Sequence, residues 1–295
     1  MILVTGATGF VGPHIVHALR AEGRQVRVLV REETDTTRLA TWGCELAVGD
    51  MTDAASLERA VEGCDAVVHL VAILTGKPAE FERVMTVGTR DLVAAASAAG
   101  VRRFVLMSAL GTTEETKELV PYYRSKWEME QTVKSSGLEH VIFRPSFIFA
   151  EDGGALAQFR KIAKLAPVTP IPGPGTQQIQ PIWVEDVAAY FAASIDKAES
   201  ANRTFELGGP DVVSWNEFWA RLKESLGTKR PSIHLPFGLM RLQAAILERL
   251  PNPPVTRDQV KMLQAADNVV TNDDAPRTFG IEPVPLDEQL RRAAG

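Results

Sequence analysis

Two cysteines are all that the 295 residues contain, Cys44 and Cys64, and they form no C-x-x-C pair. That scarcity excludes a disulfide framework and a cysteine-built zinc site, and it fits a reducing intracellular compartment. No apolar run approaches the ~20 residues needed to span a bilayer. There is no basic excess: 32 Lys and Arg stand against 37 Asp and Glu, a net charge of -5, so the cationic footprint of a nucleic-acid binder is missing. The five histidines are scattered. His14 and His17 can share a helix face, but no third ligand lies near them, so no metal is expected. Internal repeats and low-complexity segments are also lacking. A strand that begins at Met1 leaves no room ahead of it for a secretory leader, which points to a cytoplasmic protein. What remains is 45% hydrophobic and 23% charged, the composition of a soluble globular chain with one large or two small domains.

The most informative stretch comes first. Residues 1–5 (MILVT) are apolar and partly β-branched, Gly6-Ala7-Thr8-Gly9-Phe10-Val11-Gly12 follows at once, and residues 13–20 read as a helix. Strand, glycine turn and helix in that order form a phosphate cradle. Gly6 can adopt the angles of the tight turn, Gly9 leaves a pyrophosphate access to the backbone, and Gly12 lets helix and strand approach. The helix N-terminus offers unpaired N–H groups and a partial positive charge. Thr8, Phe10 and Val11 join the three glycines as candidate cofactor contacts.

Gly23 stops the helix, residues 25–30 (QVRVLV) alternate as a second strand, and Arg31 ends it. About 20 positions past the glycines is where an adenosine ribose is met. An acid there bonds the 2′-hydroxyl of NAD. Arginine suits the 2′-phosphate of NADP, so NADP(H) is expected ahead of NAD(H), although Glu32 and Glu33 pull the other way and a solvated surface arginine is the plain alternative. Residues 44–48 form a third strand ending in Gly49-Asp50-Met51. Asp50, with Met51 beside it, is placed for the adenine edge, or is an ordinary turn aspartate. Residues 53–61 read as a helix capped by Asp53. Residues 66–70 (AVVHL) read as a fourth strand buried on both faces, whose end sets Leu70, Val71 and Ala72 under the cofactor. One long helix is expected over 81–99. The fifth strand, 103–107, ends in Met107 and delivers Ser108; the sixth, 140–143, leads to Arg144, Pro145 and Ser146.

This alternation calls for an α/β fold, a doubly wound parallel Rossmann sheet with its ligand at the C-terminal ends of the strands. The dinucleotide-binding domain is expected over 1–150, with 176–210 returning to the sheet. Residues 151–175 and 211–295 are expected to form a small C-terminal substrate lobe. Within it, residues 166–175 (APVTPIPGPG) hold four prolines and two glycines and are expected to be irregular. Residues 182–184 read as a short strand before a helix, residues 204–207 as a last sheet strand, and Ser214 as the cap of a helix bearing Trp215, Phe218, Trp219 and Leu222. Farther on, Phe237, Leu239, Met240, Leu242, Ile246, Leu247 and Leu250 crowd one stretch, with Arg241, Glu248 and Arg249 between them. Such a segment docks on the chain's own core, or on a membrane surface or protein partner.

Tyr122 and Lys126 are the residues most suited to chemistry. They stand four apart near the start of a helix that Pro121 opens and that runs to about residue 134, so both lie on one face. An ammonium beside a phenol favours the phenolate and lowers its pKa from ~10. The same lysine can bond ribose hydroxyls, and the phenol can then trade a proton with a small-molecule substrate while hydride moves. The plain alternative is a helical pair without a role. The chain has only three tyrosines, and this one falls where a cofactor-side helix is expected.

Taken together, these motifs resemble the short-chain dehydrogenase/reductase superfamily in its extended or atypical branch. The matching stretches are Thr5 to Gly12, Gly49-Asp50, Val67-Val68-His69-Leu70, Tyr122 with Lys126, Arg144-Pro145-Ser146 and Val184-Glu185-Asp186-Val187. More narrowly, Pro253-Pro254-Val255-Thr256-Arg257-Asp258-Gln259-Val260, followed by Asp267-Asn268-Val269, resembles the dehydrogenase-like accessory subunit of respiratory complex I and its bacterial relatives. The resemblance implies an NADP-dependent oxidoreductase or epimerase-type enzyme in which Tyr122, Lys126 and Ser108 are catalytic. The narrower one implies a protein that holds NADPH as a structural or sensing ligand. Two positions depart from the family pattern. A serine pair usually follows the fifth strand, whereas Met107-Ser108-Ala109-Leu110 leaves either Ser108 or Ala109 in the catalytic place. An asparagine usually precedes Val-x-Gly-Thr, and here the stretch Met85-Thr86-Val87-Gly88-Thr89 has methionine there.

Overall fold

The computed structural model describes residues 1–250, 253 and 255–294, so Pro254 of the C-terminal motif lies outside the described residues. Strands and helices alternate from the start: β1 (Ile2–Thr5), α1 (Gly12–Ala21), β2 (Val26–Val30), α2 (Thr37–Thr41), β3 (Glu45–Val48), α3 (Ala54–Val61), β4 (Ala66–His69), α4 (Pro78–Phe81), α5 (Gly88–Ala98), β5 (Arg103–Met107), α6 (Pro121–Ser135) and β6 (Glu139–Pro145). The strands join one seven-stranded sheet with the strand Arg203–Leu207 on its edge, in the order Arg203–Leu207, β6, β5, β4, β1, β2, β3. Every neighbouring pair is parallel. The chain winds outward from β1 to β3, then crosses back to β4. The strand order therefore reverses between β1 and β4, where Thr5 and His69 lie side by side, and that switch point is where such sheets open a ligand crevice. All four residues of β1 and of β4 are buried, as the apolar run at 66–70 predicts for a strand covered on both faces.

Chain contacts divide the molecule into two compact units. The first comprises Met1–Pro145, Val184–Leu207 and Asn272–Glu282; the second comprises Ser146–Trp183, Gly208–Thr271 and Pro283–Gly295. The return of 272–282 to the sheet unit, unlike the boundaries expected from sequence, has an aromatic cause. Phe279 packs its ring against Phe143, Tyr190 and Phe205, at centroid distances of 5.7, 5.5 and 5.2 Å. At the N-terminal end of the sheet, Arg103 is buried to 1% exposure. It donates to Glu139 from Nε at 2.6 Å, to the Ser194 and Lys197 carbonyls at 2.5 and 3.0 Å, and to Ser200 Oγ at 3.2 Å.

Three local expectations need correction. The long helix over 81–99 is broken: a six-residue π-helix, Glu82–Val87, separates α4 from α5. The apolar pattern hides it, because Met85 and Gly88 stay buried on either side of the wider turn. Asp53 sits at the N-cap of α3 but makes no cap bond with its side chain. The Ser56 hydroxyl organises that turn instead, accepting from Asp50 N at 3.1 Å and donating to the Asp53 carbonyl at 2.7 Å. Residues 166–175 contain regular structure after all: Thr169–Pro172 is a strand, parallel to Ser232–Leu235 in a two-stranded ribbon. Thr169 N and Gly173 N donate toward the partner strand, each at 2.8 Å. Pro170 and Pro172 occupy the alternate positions and face the free edge, where a missing N–H is harmless.

The second unit has an aromatic core of its own, in which Phe159 packs against Phe149, Trp215, Phe218 and Trp219 at 5.4–6.5 Å. Ser214 caps the Trp215–Ser225 helix as expected, accepting from Glu217 N at 3.1 Å. The crowded segment at 237–250 forms the helix Phe237–Leu247, but Leu239, Leu242, Ile246 and Leu250 face out rather than joining that core. Among the described residues, no helix is long and apolar enough to cross a membrane.

Candidate cofactor and active site

The glycine turn after β1 has the geometry its sequence predicts. Gly6 has φ +77°, in the left-handed region that favours glycine, and a Cβ there would meet Leu70 C and Val71 N at 3.0 Å. The turn therefore lies directly against the end of β4, which brings Gly6, Leu70 and Val71 together. Gly9 N donates to the Gly6 carbonyl at 3.0 Å. At Gly12 a Cβ would stand 2.3 Å from the Gly6 oxygen and 2.6 Å from Ala7 C, so only glycine fits. α1 then starts with Pro13 in its first turn and no side-chain cap from Val11. Its first N–H groups have no side-chain acceptor at the cap, the condition for anion binding at a helix end. Thr8 and Phe10 are exposed on this turn. A narrow cradle of glycine backbone at the switch point fits a dinucleotide pyrophosphate.

Two arginines, Arg31 and Arg83, lie near Asp50 at the end of β2 and β3, with Glu32 and Glu33 exposed beside Arg31. Arg31 follows β2 and is exposed. Asp50 Oδ1 accepts from Thr52 N at 2.8 Å and Thr52 Oγ1 at 2.7 Å, so this carboxylate is engaged in its own turn. The Thr52 hydroxyl, with the Arg31 and Arg83 charges nearby, holds the acid below the usual carboxylate range against the opposing effect of burial. Arg83 lies on the π-helix, which has no linear signature in the sequence. Met51 is buried instead of lining the turn, and the Gly88 backbone is pressed against it: a Cβ on Gly88 would lie 2.8 Å from the Met51 oxygen.

Tyr122 and Lys126 share one face of α6, whose lysine reaches the C-terminal end of β5. Lys126 is 1% exposed. Its ammonium donates to the Met107 carbonyl at 2.6 Å and lies over the Tyr122 ring, 5.8 Å from the centroid. Burial pulls this lysine down to about 7, with Glu130 opposing. Tyr122 behaves differently from the sequence expectation. Burial raises its phenol well above the ordinary range, and the neighbouring Tyr123 adds to the rise. The lysine does not offset this, because it faces the ring and donates its hydrogen bond to a backbone carbonyl. Tyr122, Val71 and Ala72 are half-buried and pack on the same apolar core.

Ser108 is buried at 2% exposure, and its hydroxyl donates to Glu130 Oε1 at 2.6 Å. Glu130, fully buried, also takes Arg144 through Nε at 2.8 Å and Nη2 at 2.7 Å, and Lys134 at 3.0 Å. Ser108 thus belongs to a closed ionic network behind the strand ends, and Ala109 brings only a methyl group to the position beside it. The one linear signal for Glu130 is its spacing: Lys126, Glu130 and Lys134 recur at four-residue intervals on one helix face. His69 ends β4, as the apolar run at 66–70 predicts. It is fully buried, with Nδ1 2.6 Å from Thr5 Oγ1 and Nε2 2.9 Å from Thr89 Oγ1. Burial, and then the Lys126 charge, push it down to about 3, so it is neutral and ties β1, β4 and α5 together. Pro145 ends β6, and its carbonyl accepts from Leu110 N at 2.9 Å. Ser146 falls in the second unit, where its hydroxyl donates to Asn268 Oδ1 at 2.5 Å. No group of metal-ligating side chains occurs among the described residues.

Known proteins resemble this chain in sequence and in fold. Residues 6–198 match the protein family described as NAD(P)H-binding. The chain is 31% identical over 244 residues to ceramide reductase of Caulobacter vibrioides, which covers 80% of this chain and 74% of that protein. It is 27% identical over 299 residues to the mitochondrial NADH dehydrogenase (ubiquinone) 1 alpha subcomplex subunit 9 of Arabidopsis thaliana, covering 96% and 73%. Its fold matches that of Citrobacter sp. triphenylmethane reductase, solved with NADP(H), at a TM-score of 0.80 and 20% identity over 99% and 100% of the two chains. With the glycine cradle, the parallel seven-stranded sheet and these relatives in agreement, the chain belongs to the NAD(P)H-binding, extended short-chain dehydrogenase/reductase-like family.

Proposed function

We propose that the chain is an NADPH-dependent reductase that acts on a carbonyl of a small organic molecule. The observation that carries this reading is the Tyr122–Lys126 pair, stacked on α6 and bonded to the last residue of β5. When bound, the nucleotide supplies hydride. Tyr122 is the proton donor: burial keeps its phenol protonated at neutral pH, which suits reduction, where the substrate oxygen must gain a proton. Lys126, held beside the Tyr122 ring, bonds the ribose hydroxyls. Arg31, with Arg83 near the same carboxylate, favours the 2′-phosphate of NADP. The similarity to ceramide reductase supports the reductive direction.

The second reading, NADPH held as a structural or sensing ligand, is favoured by one observation: the Ser108 hydroxyl is engaged by Glu130, and Ala109 follows it. Tyr122→Phe separates the two. With an aldehyde and ketone panel and NADPH oxidation followed by absorbance, the reductase reading expects turnover to fall 10²–10⁴-fold at nearly unchanged NADPH affinity. Retained turnover overturns the role of Tyr122. No turnover by the wild type on any panel member, together with tight NADPH binding, favours the structural reading.

A further inference from the structure

The helix Phe237–Leu247 has two faces with different fates. Its inner face is occupied: Ala244 is fully buried, and the Phe237 ring sits so close to Gly173 that a Cβ there would meet it at 2.3 Å. The helix also packs beside Arg257–Ala265. The outer face is formed by Leu239, Leu242 and Ile246, with Leu250 on the turn that follows, at 44%, 61%, 61% and 51% exposure. Spacings of three, four and four align these side chains in one row. Single exposed aliphatic residues are ordinary, whereas an aligned row marks a contact surface.

Charge identifies what covers it. Residues 229–261 hold six Lys and Arg against two Asp and Glu, a local balance of +4 in a chain whose total is -5. Both acids are already paired, Glu248 with Arg257 at 2.7 Å and Asp258 with Lys261 at 3.1 Å. The surplus cations are Lys229, Arg230, Arg241 and Arg249, of which Arg241 stands exposed on the helix and Arg249 on its closing turn. We propose that this face docks on an anionic lipid bilayer, with the helix lying in the headgroup plane. The aliphatic row enters the acyl boundary while the arginines reach lipid phosphates. Eleven residues extend only ~16 Å, against ~30 Å of hydrocarbon, so the helix rests on the membrane and does not cross it. A second copy of the chain fits less well. A two-fold contact sets this surface against itself, arginine facing arginine, and four aliphatic side chains fall far short of the ~800 Å² per partner of a stable interface.

The test is flotation of the intact chain with phosphatidylglycerol/phosphatidylcholine vesicles and with phosphatidylcholine vesicles, at low and high salt. Binding to the anionic vesicles at low salt is expected, weaker by about tenfold or more on neutral vesicles or in high salt. Leu242→Asp combined with Ile246→Asp is expected to abolish it, with unchanged circular dichroism and NADPH affinity showing that the fold is kept. Arg241→Glu combined with Arg249→Glu is expected to remove the salt-sensitive part. Failure of the wild type to float with anionic vesicles at low salt overturns the proposal. So does flotation that survives the double aspartate substitution in a folded protein. A sedimenting dimer that the same substitution dissociates, without vesicle binding, assigns the surface to self-association and overturns it as well.

Discussion

The buried network behind β5 depends on single atoms. Glu130 serves Ser108, Arg144 and Lys134 at once with no exposure to water. Glu130→Ala leaves the Arg144 charge without its partner and is expected to destabilise the fold by about 3–5 kcal/mol, read from denaturant unfolding. Lys126 predicts a pH signature. Its folded pKa, about 7, lies below its value in the unfolded chain, so between roughly pH 7 and 10 the unfolded state binds more protons and stability rises with pH. Below 7 the full burden of burying the ammonium remains. The expected result is a rise in Tm from pH 7 to 9 in the wild type that Lys126→Met flattens, measured by thermal unfolding across that range. The glycines were legible in sequence because each meets a local backbone demand. Glu130 was not, because its partners come from β5 and β6, and only the folded sheet brings Ser108 and Arg144 to it.

At the scale of elements, the alternating strands and helices could be read because apolar periodicity reports which face is buried. The short strand Ile182–Trp183 was legible on the same grounds, but the π-helix was not, since it changes hydrogen bonding without changing that periodicity. The ribbon strand Thr169–Pro172 was hidden by its own prolines, whose register against Ser232–Leu235 is a tertiary fact. The β1–α1 joint makes the sharpest prediction. Gly12→Ala places a methyl 2.3 Å from the Gly6 carbonyl oxygen, and backbone on both sides leaves nothing soft to yield. The expected outcome is a loss of about 1–3 kcal/mol in stability with at least tenfold weaker nucleotide binding, checked by unfolding and by titration of NADPH. At Gly23 an added Cβ meets nothing beyond its chain neighbours, so the cost of alanine there is only the left-handed backbone at φ +75°.

For the whole molecule, a net charge of -5 opposes the approach of a polyanionic nucleotide, so local cations must reverse the field at the site. Arg31→Ala is expected to weaken NADPH by roughly 1.5–3 kcal/mol, about 10- to 150-fold, while leaving NADH little changed. Titration of both nucleotides at two salt concentrations checks it, and equal losses for the two place Arg31 away from the 2′-phosphate. The opposite end of the sheet follows different rules. Arg103, nearly devoid of solvent, holds the Ser194 and Lys197 carbonyls against β6 through Glu139. One rim of the barrel-less sheet is thereby riveted while the other carries the glycines, Arg31 and Tyr122. Such a division of labour lets lineages exchange the residues of the working rim, and so drift from one chemistry to another, without unsettling the scaffold that presents them.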